Sequence, residues 1–378
     1  MFGRDLQGIG FYWQNFAPYH VDMLDAVAEH FGERMPICGI ELAPLDPFYP
    51  WKRSDRCHKF ELVTLFPGMS FDKLSRTRRF FALRRAIAKK ACKHVFLCHY
   101  QEMEVFFLAI YLRLTGRRVF IIQDSKFDDK KRYLIREILK VLWYKPYNGA
   151  IVASKRTKDY LRLLGFQEDK LFAGYDVISI DRVRQLAGTP TAPGGVAYKD
   201  RHFAVIARLV PKKNISLALK AYGLYAKALG DKARHLAICG SGELEDRLRE
   251  EAKELGLTNV EFRGWLSEQE VAGTLGATLA LIVPSTEEQW GLIVNNALAM
   301  GVPVLCSDNV GARDYLVKSG VNGYVFEPDN ADGLAYFMKR LTVDEAEWKR
   351  FAKNSLKLAD RGDVEIFVRN VEKVVGLA

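Results

Sequence analysis

Short runs of consecutive apolar residues alternate with stretches whose apolar positions recur at helical spacing, and this alternation marks out the elements of the chain. In the first half, strands are expected over 8–14, 60–65, 95–99, 119–123 and 150–153. Helices are expected over 20–30 (Val21, Leu24 and Val27 on one side), 73–93, 102–115, 130–144 and 155–164. A Pro-rich irregular patch covers 44–50. Residues 188–195, Gly-Thr-Pro-Thr-Ala-Pro-Gly-Gly, cannot hold a helix or a central strand and read as an interdomain linker over 188–196. The alternation then restarts, with strands over 203–206, 236–239, 260–262, 279–283 and 304–307 and helices over 216–229 and 244–255. Repeated βα units predict parallel sheets wrapped by helices on both faces. The expected organisation is α/β, two Rossmann-like domains facing each other across a cleft. The first covers 1–187, the second 197–362, and a last helical segment within 363–378 packs back onto the first.

The most informative stretch is 283–304, which reads as strand, polar loop, helix from Gly291, and a stop at Gly301-Val302-Pro303 before the next strand. Ligands of such units sit beyond the carboxyl ends of the strands, where unpaired amides at a helix start attract an anion. Here the donors would be the amides of Gly291, Leu292 and Ile293, and Glu288 in the preceding loop suits sugar hydroxyls. A phosphate seat beside a hydroxyl-binding acid fits a nucleotide-sugar. A plainer reading is also open, in which Glu287 and Glu288 only favour the dipole of the first turn.

Composition narrows the class. The chain has 378 residues, 49% hydrophobic and 27% charged, the range of an ordinary globular protein of about two domains. Its six cysteines include no CxxC pair, which fits reduced thiols rather than a disulfide framework or a zinc site. Residues 1–6 offer no signal-peptide apolar region, and no run of about 18 apolar residues could span a bilayer. A cytoplasmic location is expected. The net charge is +10. Lys73, Arg76, Arg78, Arg79, Arg84, Arg85, Lys89, Lys90 and Lys93 fall in one acid-free stretch, interleaved with Phe80, Phe81, Leu83, Ala86 and Ile87. Such a helix suits an anionic membrane surface, or is a solvated face packed by its apolar strip.

Two further clusters follow strands in the second half. In Ala207-Arg208-Leu209-Val210-Pro211-Lys212-Lys213-Asn214, Arg208 can fork onto phosphate oxygens and Lys213 can supply a point charge. Cys239-Gly240-Ser241-Gly242-Glu243-Leu244-Glu245 half-resembles a dinucleotide turn but lacks its third glycine, so it reads better as a close approach of backbone to a nucleotide.

Together these motifs resemble the retaining nucleotide-sugar glycosyltransferases of the GT-B fold, the large group 1 or family 4 type. The matching stretches are 207–213, 240–243, 259–264, 284–304 and 311–323, in the family's order. The resemblance implies that Arg208 and Lys213 bind the donor diphosphate and stabilise the leaving group. It makes Glu288 the first glutamate of a Glu-x7-Glu motif that contacts the transferred sugar. The second glutamate, which grips the ribose in relatives, is Asn296 here, a departure that removes a charge. Gly242 approaches the donor, and Gly264 and Trp265 lie where relatives contact the base. In the first half, Pro18, Tyr19 and His20 resemble the acceptor-side loop, His99 a histidine near the transferred sugar, and Asp124 a polar position close to it. Each has a plainer role as a neighbour-bonded or capping residue.

No Asp-x-Asp metal motif stands at a strand end. Asp128 and Asp129 lie in a charged run with Lys130 and Lys131. No metal and no other cofactor is expected, because cations and helix amides can do the electrostatic work. The expected partners are a nucleotide-sugar donor and a glycan or lipid-linked acceptor in cell-envelope or exopolysaccharide assembly, with peripheral attachment through the basic helix at the inner face of a membrane. Nucleic acid is excluded, since the phosphate-directed cations sit at strand ends rather than along one face. Two alternatives stay open: a catalytically weak sugar-nucleotide-binding scaffold, motivated by Asn296, and a UDP-sugar epimerase of the same fold.

Overall fold

The structure is a computed structural model that describes residues 7–44, 57–129 and 132–376. Residues 1–6, most of the Pro-rich patch (45–50), the first two residues of the helix expected over 130–144, and residues 377–378 lie outside the described residues. The chain forms two compact units, one running to Ile178 and resuming at Val364, the other Ser179–Asp363.

The first unit contains β1 (Gly8–Trp13), α1 (Pro18–Phe31), β2 (Ile37–Glu41), β3 (Glu61–Thr64), α2 (Arg76–Lys89), β4 (Cys92–Leu97), α3 (Met103–Leu114), β5 (Arg118–Gln123), α4 (Leu134–Tyr144), β6 (Gly149–Val152), α5 (Lys155–Leu163) and β7 (Leu171–Ala173). Its strands pair in the order β3-β2-β1-β4-β5-β6-β7, all parallel. The order runs one way from β1 to β3 and the other way from β4 to β7. Right-handed crossovers therefore put α1 on one face and α2 to α5 on the other. Strands β1 and β4 to β6 are buried on both faces, which explains their near-continuous apolar runs. Two strands had no counterpart among the expected elements: β2 and the three-residue β7.

The second unit contains α6 (Ile180–Ala187), β8 (His202–Ile206), α7 (Ile215–Leu229), β9 (Leu236–Cys239), α8 (Glu245–Glu254), β10 (Val260–Gly264), α9 (Glu268–Gly276), β11 (Thr278–Val283), α10 (Ile293–Ala299), β12 (Val304–Ser307), β13 (Gly323–Phe326), α11 (Ala331–Val343) and α12 (Glu345–Ala359). The sheet order is β10-β9-β8-β11-β12-β13, again parallel. Its core centres on Phe203, Tyr222, Tyr225 and Trp348, whose indole donates to the Leu279 carbonyl at 2.8 Å. The last helix, α13 (Val364–Val375), packs on α1 of the first unit, and Phe367 meets Phe11 with ring centroids 5.9 Å apart.

The linker expected over 188–196 is not a linker. It lies inside the second unit, ten residues past the boundary at Ile178/Ser179. Ala192 is fully buried in the core and its amide donates to the Met300 carbonyl at 2.9 Å, while Arg201 donates to the Gly194 carbonyl at 2.6 Å. Helix α6, not expected as an element and falling within the range 1–187 given to the first domain, belongs to the second unit and packs on α9 and α10. Proline and glycine reported an irregular backbone there, and a buried alanine and a buried arginine hold that backbone in place.

Candidate active site

A parallel sheet brings the carboxyl ends of all its strands to one edge. In the second unit that edge is laced from loop to loop by main-chain hydrogen bonds. The Gly240 amide after β9 donates to the Gly264 carbonyl ending β10 at 2.6 Å, and the Leu209 amide after β8 donates to Ser241 at 2.9 Å. Thr286 after β11 donates to Lys212 at 2.9 Å, and Gly311 after β12 donates to Glu288 at 3.1 Å. Asn214, in the left-handed conformation (φ 52°) that Asn tolerates, ties this rim to the carbonyls of Pro284 and Pro328 at 3.1 and 2.8 Å.

Set into that rim is an ion pair between the Lys213 ammonium and the Glu288 carboxylate, their side chains only 16% and 14% exposed. The Ser285 hydroxyl donates to the same carboxylate oxygen at 3.3 Å. At such burial the local dielectric is well below that of water, so charges here act more strongly than on an open surface. The structure thus gives Glu288 a role the sequence did not show: it holds Lys213. Arg208 is half-buried on the same loop as Lys213.

One expectation about this edge is corrected. The helix expected from Gly291 begins at Ile293 and is seven residues long, because Gly291 sits at φ 104°, outside any helix. Gly291 and Leu292 therefore precede it in the loop, both half-exposed, with Ile293 its first residue. A helix this short has a weak macrodipole, so an anion would be drawn by N–H groups rather than by the helix as a whole. Gly242 is required within the protein itself, since a Cβ there would collide with the Leu209 backbone. The Asn296 amide nitrogen donates back to the Leu292 carbonyl at 3.0 Å, which takes up one of its two N–H groups. Trp265 follows Gly264 at the end of β10 and is 55% exposed. The indole of Trp290 is buried instead, donating to Asn295 at 2.9 Å.

The matching edge of the first unit also carries main-chain bonds, with Ala43 donating to Gln14 at 3.0 Å and Gly174 to Val152 at 2.8 Å, and adds a buried side-chain cluster to them. The Ala17 amide donates to Nδ1 of His20 at 3.1 Å, which leaves the ring proton on Nε2, and Nε2 lies 3.3 Å from the Tyr175 hydroxyl. The Trp13 indole donates to the same hydroxyl at 3.0 Å and stacks on His20 with centroids 4.5 Å apart. His20 is 5% exposed and burial holds its pKa well below the ordinary value, so it stays neutral. This overturns its expected acceptor contact: His20 braces the loop from inside, while Pro18 and Tyr19 at the start of α1 are half-exposed. Tyr175, after β7, and Trp13, ending β1, are the residues that sequence reasoning missed. The only signal was an aromatic at each strand end.

His99 follows β4 with φ 56°, a conformation costly for a non-glycine residue and often held at functional sites. Burial pushes its pKa down to about 4, so at neutral pH it is an uncharged hydrogen-bonding ring. Asp124 follows β5 and is half-buried, its carbonyl accepting from Thr157 at 2.9 Å. Asp128 and Asp129 are paired with cations, Asp128 with Arg156 at 2.9 Å and Asp129 with the buried Lys126 at 3.2 Å.

Residues 192–358 match the family model described as glycosyl transferases group 1. The second unit is a glycosyltransferase group 1 domain. The poly(glycerol-phosphate) alpha-glucosyltransferase of Bacillus subtilis is 28% identical over 256 residues, covering 66% of this chain and 36% of the relative. The phosphatidyl-myo-inositol mannosyltransferase of Mycobacterium leprae is 23% identical, covering 61% of this chain and 60% of the relative. The chain thus spans less than two thirds of either relative's length. Among solved structures, Anabaena HepE in complex with UDP and glucose superposes with a TM-score of 0.73 at 16% identity, covering 98% of this chain and all of that one. The lipopolysaccharide outer core galactosyltransferase WaaB superposes with a TM-score of 0.71 at 16% identity, covering 97% and 99%. The fold is therefore that of GT-B glycosyltransferases, and the rim with Lys213 and Glu288 belongs to the glycosyltransferase group 1 domain.

Proposed function

We propose that the chain is a retaining glycosyltransferase that moves a sugar from a nucleoside diphosphate to a glycan or lipid-linked acceptor of the cell envelope. The observation that carries this is the half-buried Lys213–Glu288 pair at the hydrogen-bonded rim of the group 1 domain. Lys213 and Arg208 would face the diphosphate and offset the charge that builds as the sugar leaves, with the amides at 291–293 adding donors. Glu288 would hold Lys213 with one oxygen and take a sugar hydroxyl with the other. The departing phosphate oxygen would accept the acceptor's proton, so neither a metal nor a protein nucleophile is required, and the sugar keeps its anomeric configuration. His99 and Asp124 would lie close to the transferred sugar. The UDP in HepE makes UDP the first nucleotide to test. Attachment to an anionic membrane through the exposed cations of α2 belongs to the same proposal.

The test is thermal shift of the purified chain against UDP, GDP, ADP and dTDP, followed by turnover of the matching nucleotide-sugars with and without EDTA. One nucleotide should raise the midpoint by mass action, and turnover should survive EDTA. No shift with any nucleotide sinks the reading. A second reading, a binding scaffold with little turnover, is favoured by the Asn296 amide's bond to Leu292. Nucleotide binding without hydrolysis or transfer under any acceptor would select it.

A further inference from the structure

Helix α4 carries an apolar row that the first unit leaves uncovered. Leu134, Ile135, Ile138, Leu139 and Leu142 are 77%, 75%, 59%, 59% and 56% exposed, and Tyr133 just before the helix is 54% exposed. The spacing i, i+1, i+4, i+5, i+8 makes this one continuous stripe. The helix's only acid, Glu137, is turned inward, bonded to Lys140 at 2.8 Å and to the Tyr160 hydroxyl at 2.5 Å. What is left on the outer side is apolar apart from the exposed cations Arg136 and Lys145.

Apolar side chains are exposed on the neighbouring helices as well. Trp143 of α4 stacks on Phe106 of α3 with centroids 4.1 Å apart, and α3 adds Phe107, 51% exposed. Helix α3 packs on α2, which adds Phe81 at 58% exposure and the exposed cations Arg84, Arg85 and Lys89. An exposed apolar row like that of α4 is unusual for a monomer and marks a contact surface. Its occupant follows from the charges. A second copy placed on this face would bring the same cations against these, whereas an anionic bilayer offers hydrocarbon to the stripe and phosphate to its flanks.

We infer that the outer face of α4, with Phe107 and Phe81 beside it, is a shallow insertion surface for an anionic lipid bilayer. The α2 cations alone would give a salt-sensitive attachment. The α4 stripe supplies the part that salt does not remove, since apolar burial is not screened. Among the described residues no helix is long and apolar enough to cross a membrane, so the contact lies in the interface plane. Helix α4 also starts just beyond the carboxyl end of β5, where Asp124 lies. Docking it would bring the lipid headgroups to the edge at which the first unit would take its acceptor. The lipid contact itself does not depend on sugar transfer.

The experiment is co-sedimentation of the full chain with vesicles of phosphatidylcholine, alone or with about 30% phosphatidylglycerol. The wild type should bind the anionic vesicles, and the triple variant Ile135→Gln, Ile138→Gln, Leu139→Gln should lose about tenfold or more in partitioning. Because these side chains are exposed, its thermal midpoint and its nucleotide-induced shift should match the wild type, which separates failure of this inference from failure of the transferase reading. Raising NaCl from about 0.1 to 0.5 M should leave a residual binding that the triple variant lacks and that Arg84→Gln, Arg85→Gln retains. Wild-type partitioning in the triple variant, no binding by the wild type, or a wild-type dimer that the triple variant turns into a monomer without change in vesicle binding would each overturn it.

Discussion

The two units present the same kind of edge, the carboxyl ends of a parallel sheet, and differ in how far side chains help to fix it. In the second unit neighbouring loops are held main chain to main chain, through Gly240 to Gly264, Leu209 to Ser241, Thr286 to Lys212 and Gly311 to Glu288. In the first, main-chain bonds such as Leu42 and Ala43 to Gln14 and Gly174 to Val152 are joined by a buried side-chain cluster, with Trp13 and His20 converging on the Tyr175 hydroxyl. A backbone lattice tolerates change at most side chains, provided its glycines stay. A side-chain lattice depends on each residue that builds it. The family match follows this divide, since residues 192–358 lie wholly within the second unit. A diphosphate is common to all donors of the proposed reaction, whereas acceptors differ, so a generic scaffold for one and a particular scaffold for the other is the expected division.

Four measurements bear on that contrast, beginning with the largest expected effect. Gly240→Ala puts a Cβ against the Ala207 carbonyl at a backbone of φ 136°, and should cost about 3–5 kcal/mol in denaturant unfolding of the second unit. A neutral result would mean the lattice is not what holds the rim. Lys213→Ala should lower kcat by about 10²–10³-fold. Glu288→Ala should lose nearly as much, and the double variant little more than either, because the two act as one group. Additive losses in the cycle would separate them.

Acid should distinguish the units. His94 and His202 are both buried and held down to about 4, largely by burial, and His20 and His99 are lowered in the first unit as well. Below the ordinary histidine value of about 6.5 the unfolded chain binds protons that the folded chain refuses, so stability falls from about pH 6.5 toward pH 4. Each of the two buried histidines contributes on the order of 2 kcal/mol to that loss. With three such histidines against two (His202 and His235), the first unit should open first, as read by hydrogen exchange at pH 5 and 7. Equal protection in both units at pH 5 would remove this difference. Smallest, Tyr175→Phe strands the Trp13 and His20 donors and should cost about 1–3 kcal/mol, with little change in nucleotide affinity. Weakened nucleotide binding in that variant would show that the two edges are not braced independently.

By itself the sequence determined the α/β class, most of the strands, and the positions of Arg208, Lys213 and Glu288 after β8 and β11, because buried strands are continuous apolar runs and loop chemistry follows them directly. It also placed the basic helix, which forms as α2 behind the cap of Ser75. Tertiary structure alone decided the rest, and the reasons are specific. Residues 188–196 look like a linker until Ala192 is seen in a core. Gly242 looks like a nucleotide's glycine, and the Leu209 carbonyl facing it is a reason for glycine that no local pattern shows. His20 looks like an acceptor contact until Ala17 and Tyr175 are found holding both its nitrogens. The apolar row of α4 reads from sequence as ordinary core, since periodicity reports that one side of a helix is apolar and not whether anything covers it. Local patterns encode which backbone forms. What each side chain faces depends on residues distant in the chain, and that is settled only when the elements pack.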